Sequence, residues 1–225
     1  WEANGHMMRA THLFVDWAKA QNLGEVTLLK KEGHTPLILI DVPGQKPGNV
    51  MIYGHLDKQP EMSGWDANKG AWMPVIEGEK LYGRGGADDG YAMFAALTAL
   101  AALRHEGILH PRTLVFIEAS EESGSPDLPI YLKEAAAQIG TPDLIIALDS
   151  SCATYDTLWS TTSLRGVAKA TVNIRLLNEG MHSGEGSGVV PTWFDVLATL
   201  VARLQDPVTG QVVAPELFVE IPESA

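Results

Sequence analysis

Four short apolar segments are the feature that most restricts how residues 1–150 can fold. Stretches with a helical pattern of apolar residues separate them. These segments predict strands over 36–41, 49–54, 113–119 and 143–148. The intervening patterns predict helices over 7–20, 91–104 and 127–139. Buried strands that alternate with helices are typical of a parallel sheet covered on both faces. The sequence therefore predicts an α/β fold with a largely parallel sheet flanked by helices.

The pattern changes after Gly166. Residues 167–176 alternate apolar and polar side chains, which predicts a half-exposed strand. A glycine-rich loop and a helix that starts with proline are expected next, over 180–188 and 191–204. We therefore expect a domain boundary near 163–166. The predicted domains cover 1–165 and, for the beginning of a smaller α+β domain, 166–225.

Charge and cysteine content exclude several classes of function. The chain has 16 Lys and Arg against 28 Asp and Glu, a net charge of −12, and no basic run offsets it, so nucleic-acid binding is not expected. The longest nearly apolar run, 92–103, is shorter than the ~20 residues that cross a bilayer, so no membrane partner is expected. The single cysteine, Cys152, cannot form an internal disulfide, which fits a reducing compartment and predicts a cytoplasmic protein.

Residue types that ligate metals follow three of the predicted strands. They are His55 with Asp57, Glu121 with Glu122, and Asp149, while Asp88 and Asp89 precede the second helix in a glycine-rich turn. Taken singly, each has a structural explanation, such as a solvated loop or a helix cap. Together they would meet at the carboxyl ends of the strands, where so many carboxylates must be neutralised. A site with one imidazole, several carboxylates and no thiolate suits hydrolytic zinc, and manganese or cobalt less exclusively.

Four segments carry a resemblance to a known family. They are Gly54-His55-Leu56-Asp57, Gly64-Trp65-Asp66, the run 81–90 (Leu-Tyr-Gly-Arg-Gly-Gly-Ala-Asp-Asp-Gly) and Glu121-Glu122-Ser123-Gly124-Ser125. In this combination the chain resembles the co-catalytic zinc metallopeptidases, a family that includes carnosine dipeptidases, glutamate carboxypeptidase, aminoacylase and succinyl-diaminopimelate desuccinylase. The resemblance implies a catalytic domain before residue 166, two zinc ions, and the start of a lid domain through which the protein forms a homodimer.

The same resemblance implies a role for each candidate residue. Asp88 would bridge the two ions, His55 and Asp149 would bind the second, and Glu122 would bind the first. Asp57 would orient His55 through its other ring nitrogen. Glu121 would be the general base for a water molecule between the ions.

A further candidate is His182, which lies in the segment Gly180-Met181-His182-Ser183-Gly184. The resemblance implies that this imidazole reaches the active site of the partner subunit and stabilises the oxyanion there. The family also has a further histidine ligand near its C-terminus, and none of the other histidines here lies in a matching motif. We therefore expect the chain to be an N-terminal fragment that stops inside the lid.

The expected reaction is hydrolysis of an amide bond in dipeptides or short peptides. Asp149 and the segments around 64–66 and 81–85 favour the dipeptidase branch, and an N-acyl amino acid deacylase of the same family is the alternative. A catalytically incomplete binding or scaffolding relative is a further alternative, which a replacement of Glu121 or Asp88 would favour. A serine hydrolase is disfavoured because no Gly-x-Ser-x-Gly occurs, and the glycine run 83–90 does not fit the dinucleotide pattern.

Overall fold

The computed structural model describes residues 2–164 and 166–220, which form two compact units divided between Leu158 and Trp159. This division lies a few residues before the predicted boundary. Arg165 and residues 221–225, which the predicted domains include, lie outside the described residues. The assignment of the two units to a catalytic and a lid domain stays a prediction. Among the described residues, no helix has both the length and the apolar character needed to span a bilayer.

The first unit is built on a five-stranded sheet. Its strands are β1 (Glu25–Leu29), β2 (Leu37–Val42), β3 (Lys46–His55), β6 (Pro111–Glu118) and β7 (Leu144–Ala147), and a separate hairpin holds β4 (Val75–Glu77) and β5 (Lys80–Tyr82). The sheet order is β1-β2-β6-β3-β7. β3 runs parallel to β6 and β7, while β2 is antiparallel to β1 and β6, so β2 alone among the five strands runs in the opposite direction. The predicted largely parallel α/β sheet is confirmed.

Helices cover both faces of this sheet. They are α1 (His6–Ala20), α2 (Ala92–His105), α3 (Leu128–Glu134) and α4 (Ala136–Ile139). α1 and α2 contribute Phe14 and Leu97 to a core with Val115, and α3 and α4 contribute Tyr131 and Ile139 to a core on the opposite face. The helix predicted over 127–139 is interrupted at Ala135, where ψ is 5° and the helical repeat is lost. The sheet therefore brings the carboxyl ends of β3, β6 and β7 to one edge, with β6 buried and β7 exposed.

The second unit differs from its predicted structure. Its described α-helices are α5 (Ser183–Gly186) and α6 (Trp193–Val201), and a 3-10 helix covers Pro215–Leu217. Thr192 and Asp195 form a reciprocal cap at the start of α6. The strand predicted over 167–176 is wrong, because the structure has no strand there. An alternating pattern makes a strand only where a neighbour pairs its backbone N–H and C=O groups, and no named strand lies within the described residues 159–164 and 166–220.

A partly buried carboxylate joins the loop before β2 to the start of α3. The Asp127 carboxylate accepts hydrogen bonds from the Thr35 backbone N–H at 2.8 Å and the Thr35 hydroxyl at 2.7 Å, and its Oδ1 lies 2.7 Å from His34 Nδ1. The Tyr131 hydroxyl donates to the Thr35 carbonyl at 2.6 Å. Burial alone would raise the pKa of Asp127, but His34 and Thr35 stabilise its ionised form and the pKa is lowered.

Replacing Asp127 by alanine should therefore lower the free energy of unfolding by about 1–3 kcal/mol at neutral pH. The pKa of this group is lower in the folded chain than the ~3.9 of an unfolded aspartate. The stabilisation is then complete above that value and is lost as the pH falls through the folded pKa. Denaturant unfolding between about pH 3 and pH 7 should show the deficit of Asp127→Ala shrinking towards the acid end. The exposed Asp16→Ala is the control, and a deficit for Asp127→Ala that does not change with pH would contradict the linkage.

Candidate metal centre

The site is built around the buried side chain of His55, the last residue of β3. This side chain is 0% exposed. Its Nδ1 lies 3.3 Å from Asp57 Oδ1 and 3.2 Å from the Asp57 carbonyl oxygen. Its Nε2 is buried and has no hydrogen-bond partner among the described residues, although Asp88 Oδ1 lies 3.2 Å away. A buried ring nitrogen that faces carboxylates and makes no hydrogen bond fits a histidine that binds a metal ion.

Carboxylates from three other chain segments surround this nitrogen. His55 Nε2 is 3.2 Å from Asp88 Oδ1, 3.8 Å from Asp149 Oδ1 and 3.9 Å from Glu121 Oε2. Two overlapping groups have ligand atoms within 4.8 Å of one another, and they are His55 with Glu121 and Asp149, and His55 with Asp88 and Glu122. The structure thus brings together five of the seven side chains that the sequence placed at strand ends and in the glycine-rich turn. Their individual roles stay a prediction.

Asp57 connects the histidine to the turn that follows β6. Its Oδ1 accepts the backbone N–H of Glu121 at 3.2 Å, and its Oδ2 accepts that of Glu122 at 3.0 Å. Burial alone would raise the pKa of Asp57, but His55 and the Glu122 N–H stabilise the carboxylate and lower it. One ionised side chain therefore orients the imidazole of His55 and fixes the backbone of both glutamates.

The two aspartates of the glycine-rich turn have different surroundings. Asp89 is buried, and its carboxylate accepts the backbone N–H groups of His55 at 3.0 Å and of Ala92 at 3.2 Å. A Cβ atom on Gly54 would lie 2.8 Å from Asp89 Oδ2 and 2.3 Å from the Ala92 side chain, so glycine is required there. Asp89 thus joins β3 to the first residue of α2, although Tyr91 and not Asp89 holds the N-cap position of that helix. Asp88, which is 60% exposed, is left to face His55.

Two residues beside the site had no signal in the sequence. The Lys58 amine donates to the Leu56 carbonyl at 2.8 Å and to the Asp89 carbonyl, and its stem occupies the space where a side chain on Gly85 would lie. The Gln59 amide donates to Glu122 Oε2, while Glu122 Oε1 is buried and unpaired within the described part of the chain. Gln59 thus occupies one oxygen of Glu122 and leaves the other free to bind a cation.

The electrostatics of the site favour a divalent cation. Burial would lower the pKa of His55, but Asp57, Asp89 and Asp149 raise it to about 9. The pKa of Glu121 and that of Asp149 are both raised, mainly by burial and further by neighbouring carboxylates. Without a cation the cluster must therefore hold protons to offset its negative charge. An unpaired imidazole nitrogen, an unpaired carboxylate oxygen and several ionisable oxygens within reach fit a hydrolytic metal site.

His182, the remaining candidate, lies in the second unit. It precedes α5, and its Nδ1 accepts the backbone N–H of Gly184 at 3.1 Å. The imidazole is exposed. Its predicted action in a partner subunit stays a prediction.

Known peptidases are similar to this chain over most of its length. Residues 51–190 match the sequence profile of "Peptidase family M20/M25/M40". The chain is 30% identical over 198 residues to the Beta-Ala-His dipeptidase of Homo sapiens, covering 83% of this chain and 37% of that protein. It is 26% identical over 200 residues to the Cys-Gly metallodipeptidase dug1 of Schizosaccharomyces pombe, covering 84% of this chain and 40% of that protein.

Solved structures show a similar fold. The M20 family metallo-carboxypeptidase Sso-CP2 from Sulfolobus solfataricus aligns with a TM-score of 0.66 at 21% identity, over 96% of this chain and 49% of that one. Human carnosine dipeptidase 1 aligns with a TM-score of 0.57 at 21% identity, over 97% and 49%. The chain thus spans about two fifths of the length of these curated relatives and about half of these structures.

Asp57 contacts both His55 and the turn that carries Glu121 and Glu122, which we call the glutamate turn. If Asp57 orients both, its removal should weaken metal binding. We expect Asp57→Ala to lower the affinity for Zn²⁺ by about 10- to 100-fold, as is typical for a residue that orients a metal ligand. Competition against a chromophoric chelator would measure this affinity directly. Asp66→Ala, in an exposed part of the chain, is the control. Equal Zn²⁺ affinity in the two variants would remove Asp57 from the metal site.

Proposed function

The chain belongs to peptidase family M20/M25/M40, and on that premise we propose that the protein hydrolyses the amide bond of dipeptides or short peptides with the help of divalent metal ions. The observation that carries the proposal is the buried, unpaired Nε2 of His55, with carboxylate oxygens of three residues 3.2–3.9 Å away. The curated relatives, which are named dipeptidases, support the same reaction class.

Both the number and the identity of the metal ions are part of the proposal. We assign two zinc ions, with manganese or cobalt as substitutes, because the ligands are imidazole and carboxylate without thiolate. Asp88 would be shared between the ions, His55 and Asp149 would hold one, and Glu122 would hold the other through its unpaired Oε1. When bound, such a pair of cations polarises the scissile carbonyl and makes a water molecule more acidic.

Side chains of the protein itself transfer the protons of the reaction. Glu121 is the general base: it takes a proton from the attacking water and returns it to the leaving nitrogen. Burial and the neighbouring carboxylates raise the pKa of Glu121, which makes it a better proton acceptor. Asp57 holds the Glu121 backbone N–H and the His55 ring, so the base and the metal ligand keep a fixed separation.

The proposal extends to assembly and location. We propose a homodimer formed through the second unit, with His182 acting at the site of the partner subunit. We also place the protein in the cytoplasm, on the basis of its single cysteine, Cys152.

Replacing Glu121 by glutamine tests the reaction class, because the amide keeps the shape of the side chain and loses the proton acceptor. In the natural full-length protein we expect Glu121→Gln to lower kcat for dipeptides by about 10²–10⁴-fold. Its metal content, measured by elemental analysis, should equal that of the wild type. Asp88→Ala is the companion variant, and it should lose most of both metals because the bridging ligand serves both ions.

Three outcomes would count against this proposal. Near-normal kcat in Glu121→Gln would remove Glu121 as the base. A wild-type protein that takes up no divalent metal would contradict the metal site. Hydrolysis of N-acyl amino acids in place of dipeptides would assign the protein to the deacylases.

The proposed role of His182 can be tested by subunit complementation. Loss of an oxyanion donor lowers kcat by about 10²–10³-fold, so His182→Ala should bind metal normally and be nearly inactive. Co-expression with Glu121→Gln should restore activity, because a heterodimer combines one intact base with its partner's intact histidine. Heterodimers that mass spectrometry detects but that remain as inactive as the parents would contradict action across the interface.

A further inference from the structure

A buried carboxylate next to the candidate site has no role in the proposed reaction. Glu118, the last residue of β6, is 3% exposed. Its Oε1 accepts hydrogen bonds from the Tyr53 hydroxyl at 2.6 Å and the Ser125 hydroxyl at 2.9 Å, and its Oε2 accepts one from the Ser120 hydroxyl at 3.1 Å. All three donors are neutral. Because removing an ionised group from water costs several kcal/mol, a carboxylate buried among neutral donors needs an explanation.

Two of these donors lie at the ends of the turn that carries Glu121 and Glu122. Ser120 precedes Glu121 and Ser125 follows the turn, whose ends are also joined by the Ser125 N–H to the Ser120 carbonyl at 2.9 Å. Glu118 therefore binds the turn through a side chain at each end. Glu121 and Glu122 lie between these two attachments.

The turn adopts a backbone conformation that requires external support. Gly124 and Ser125 follow one another in the left-handed region, with φ of 83° and 53°. Glycine accepts this conformation readily, whereas a non-glycine residue there costs about 1–2 kcal/mol. The hydrogen bond from the Ser125 hydroxyl to Glu118 favours the conformation in which the turn closes. The carboxylate thus stabilises a strained turn at its most strained residue.

The third donor connects the turn to the strand that carries the histidine. Tyr53 precedes His55 by two residues on β3, so both side chains project to the same face. β3 and β6 are parallel neighbours, with His55 paired to Glu118. Glu118 therefore links β3 to the glutamate turn through side-chain hydroxyls, whereas Asp57 links them through the backbone N–H groups of Glu121 and Glu122.

We propose that Glu118 is a positioning residue that, through Tyr53, Ser120 and Ser125, fixes the turn bearing Glu121 and Glu122 relative to His55. This inference rests on the proposed function for its effect on catalysis, but the geometry it claims can be tested separately. Small displacements of catalytic groups lower kcat steeply, because the reacting atoms must be held close and aligned. Removing any one of these three hydrogen bonds to Glu118 should therefore lower kcat more than it lowers the stability of the fold.

The chain offers matched controls for two of the three attachments. Tyr53→Phe removes a hydroxyl bonded to Glu118 at 2.6 Å, and Tyr131→Phe removes one bonded at 2.6 Å to the Thr35 carbonyl. Ser125→Ala removes a bond to Glu118, and Ser123→Ala changes an exposed serine of the same turn. Each pair makes the same chemical change with and without an effect on Glu118.

In the natural full-length protein, we expect Tyr53→Phe and Ser125→Ala to lower kcat by about tenfold or more, with KM changed by less than about threefold. Hydrogen-exchange mass spectrometry at constant pH should show faster exchange of the peptide containing the Glu121 and Glu122 amides. Tyr131→Phe and Ser123→Ala should leave kcat and this exchange rate at wild-type values. Thermal unfolding of all four variants shows how much stability each has lost.

The two measurements separate the inference from the proposed function. If Tyr131→Phe lowers kcat and speeds exchange of the turn as much as Tyr53→Phe at equal loss of stability, Glu118 has only a structural role and the inference is overturned. If the wild type hydrolyses no amide bond, the proposed function fails, and the exchange rates alone decide the inference. Faster exchange of the turn in Tyr53→Phe and Ser125→Ala than in their controls then supports it, and equal rates overturn it.

Discussion

The carboxylate of Asp57 is the group on which the geometry of the site depends. It lies 3.3 Å from the ring of His55 at the end of β3 and accepts both glutamate N–H groups at the end of β6. The two strands are hydrogen-bonded neighbours, so a small displacement of either would break one of these contacts. The parallel pairing of buried strands therefore determines how far the imidazole lies from the glutamate side chains.

This arrangement concentrates negative charge where the sheet ends. Five carboxylates approach the imidazole of His55, and they belong to Asp57, Asp88, Glu121, Glu122 and Asp149. The Lys58 amine lies beside this cluster, and burial lowers its pKa. Packing holds these carboxylates close despite their repulsion. Burial raises the pKa of Asp149 and of Glu121, and the repulsion between carboxylates raises both further. A rigid cluster with unbalanced charge binds a divalent cation without having to reorganise first, since the unfavourable repulsion is already present.

The sequence predicted those parts of the molecule whose signal is local. β3, β6 and β7 are apolar runs, and the ligand residue types follow them directly, so the edge at which they meet could be predicted. The short and partly exposed β1 was missed, and the strand expected over 167–176 was wrong, because pairing with a neighbour decides whether such segments form strands. Gln59 and Glu118 also went unnoticed. Gln59 contacts Glu122, which is 63 positions away, and Glu118 contacts Tyr53, which is 65 positions away. No local pattern encodes such contacts.

Among the described residues, the hydrogen-bond donors of Glu118 are three hydroxyl groups, and none is a lysine or an arginine. The Lys58 amine already brings one positive charge beside the site. A second cation placed next to β6 to neutralise Glu118 would add to the repulsion of a divalent ion bound at His55, because charges in a poorly solvated region interact over several ångströms. Hydroxyl groups stabilise the carboxylate without adding charge, and backbone N–H groups do the same for Asp57. Neutral donors can therefore fix the glutamate turn while the negative potential that attracts the metal is preserved.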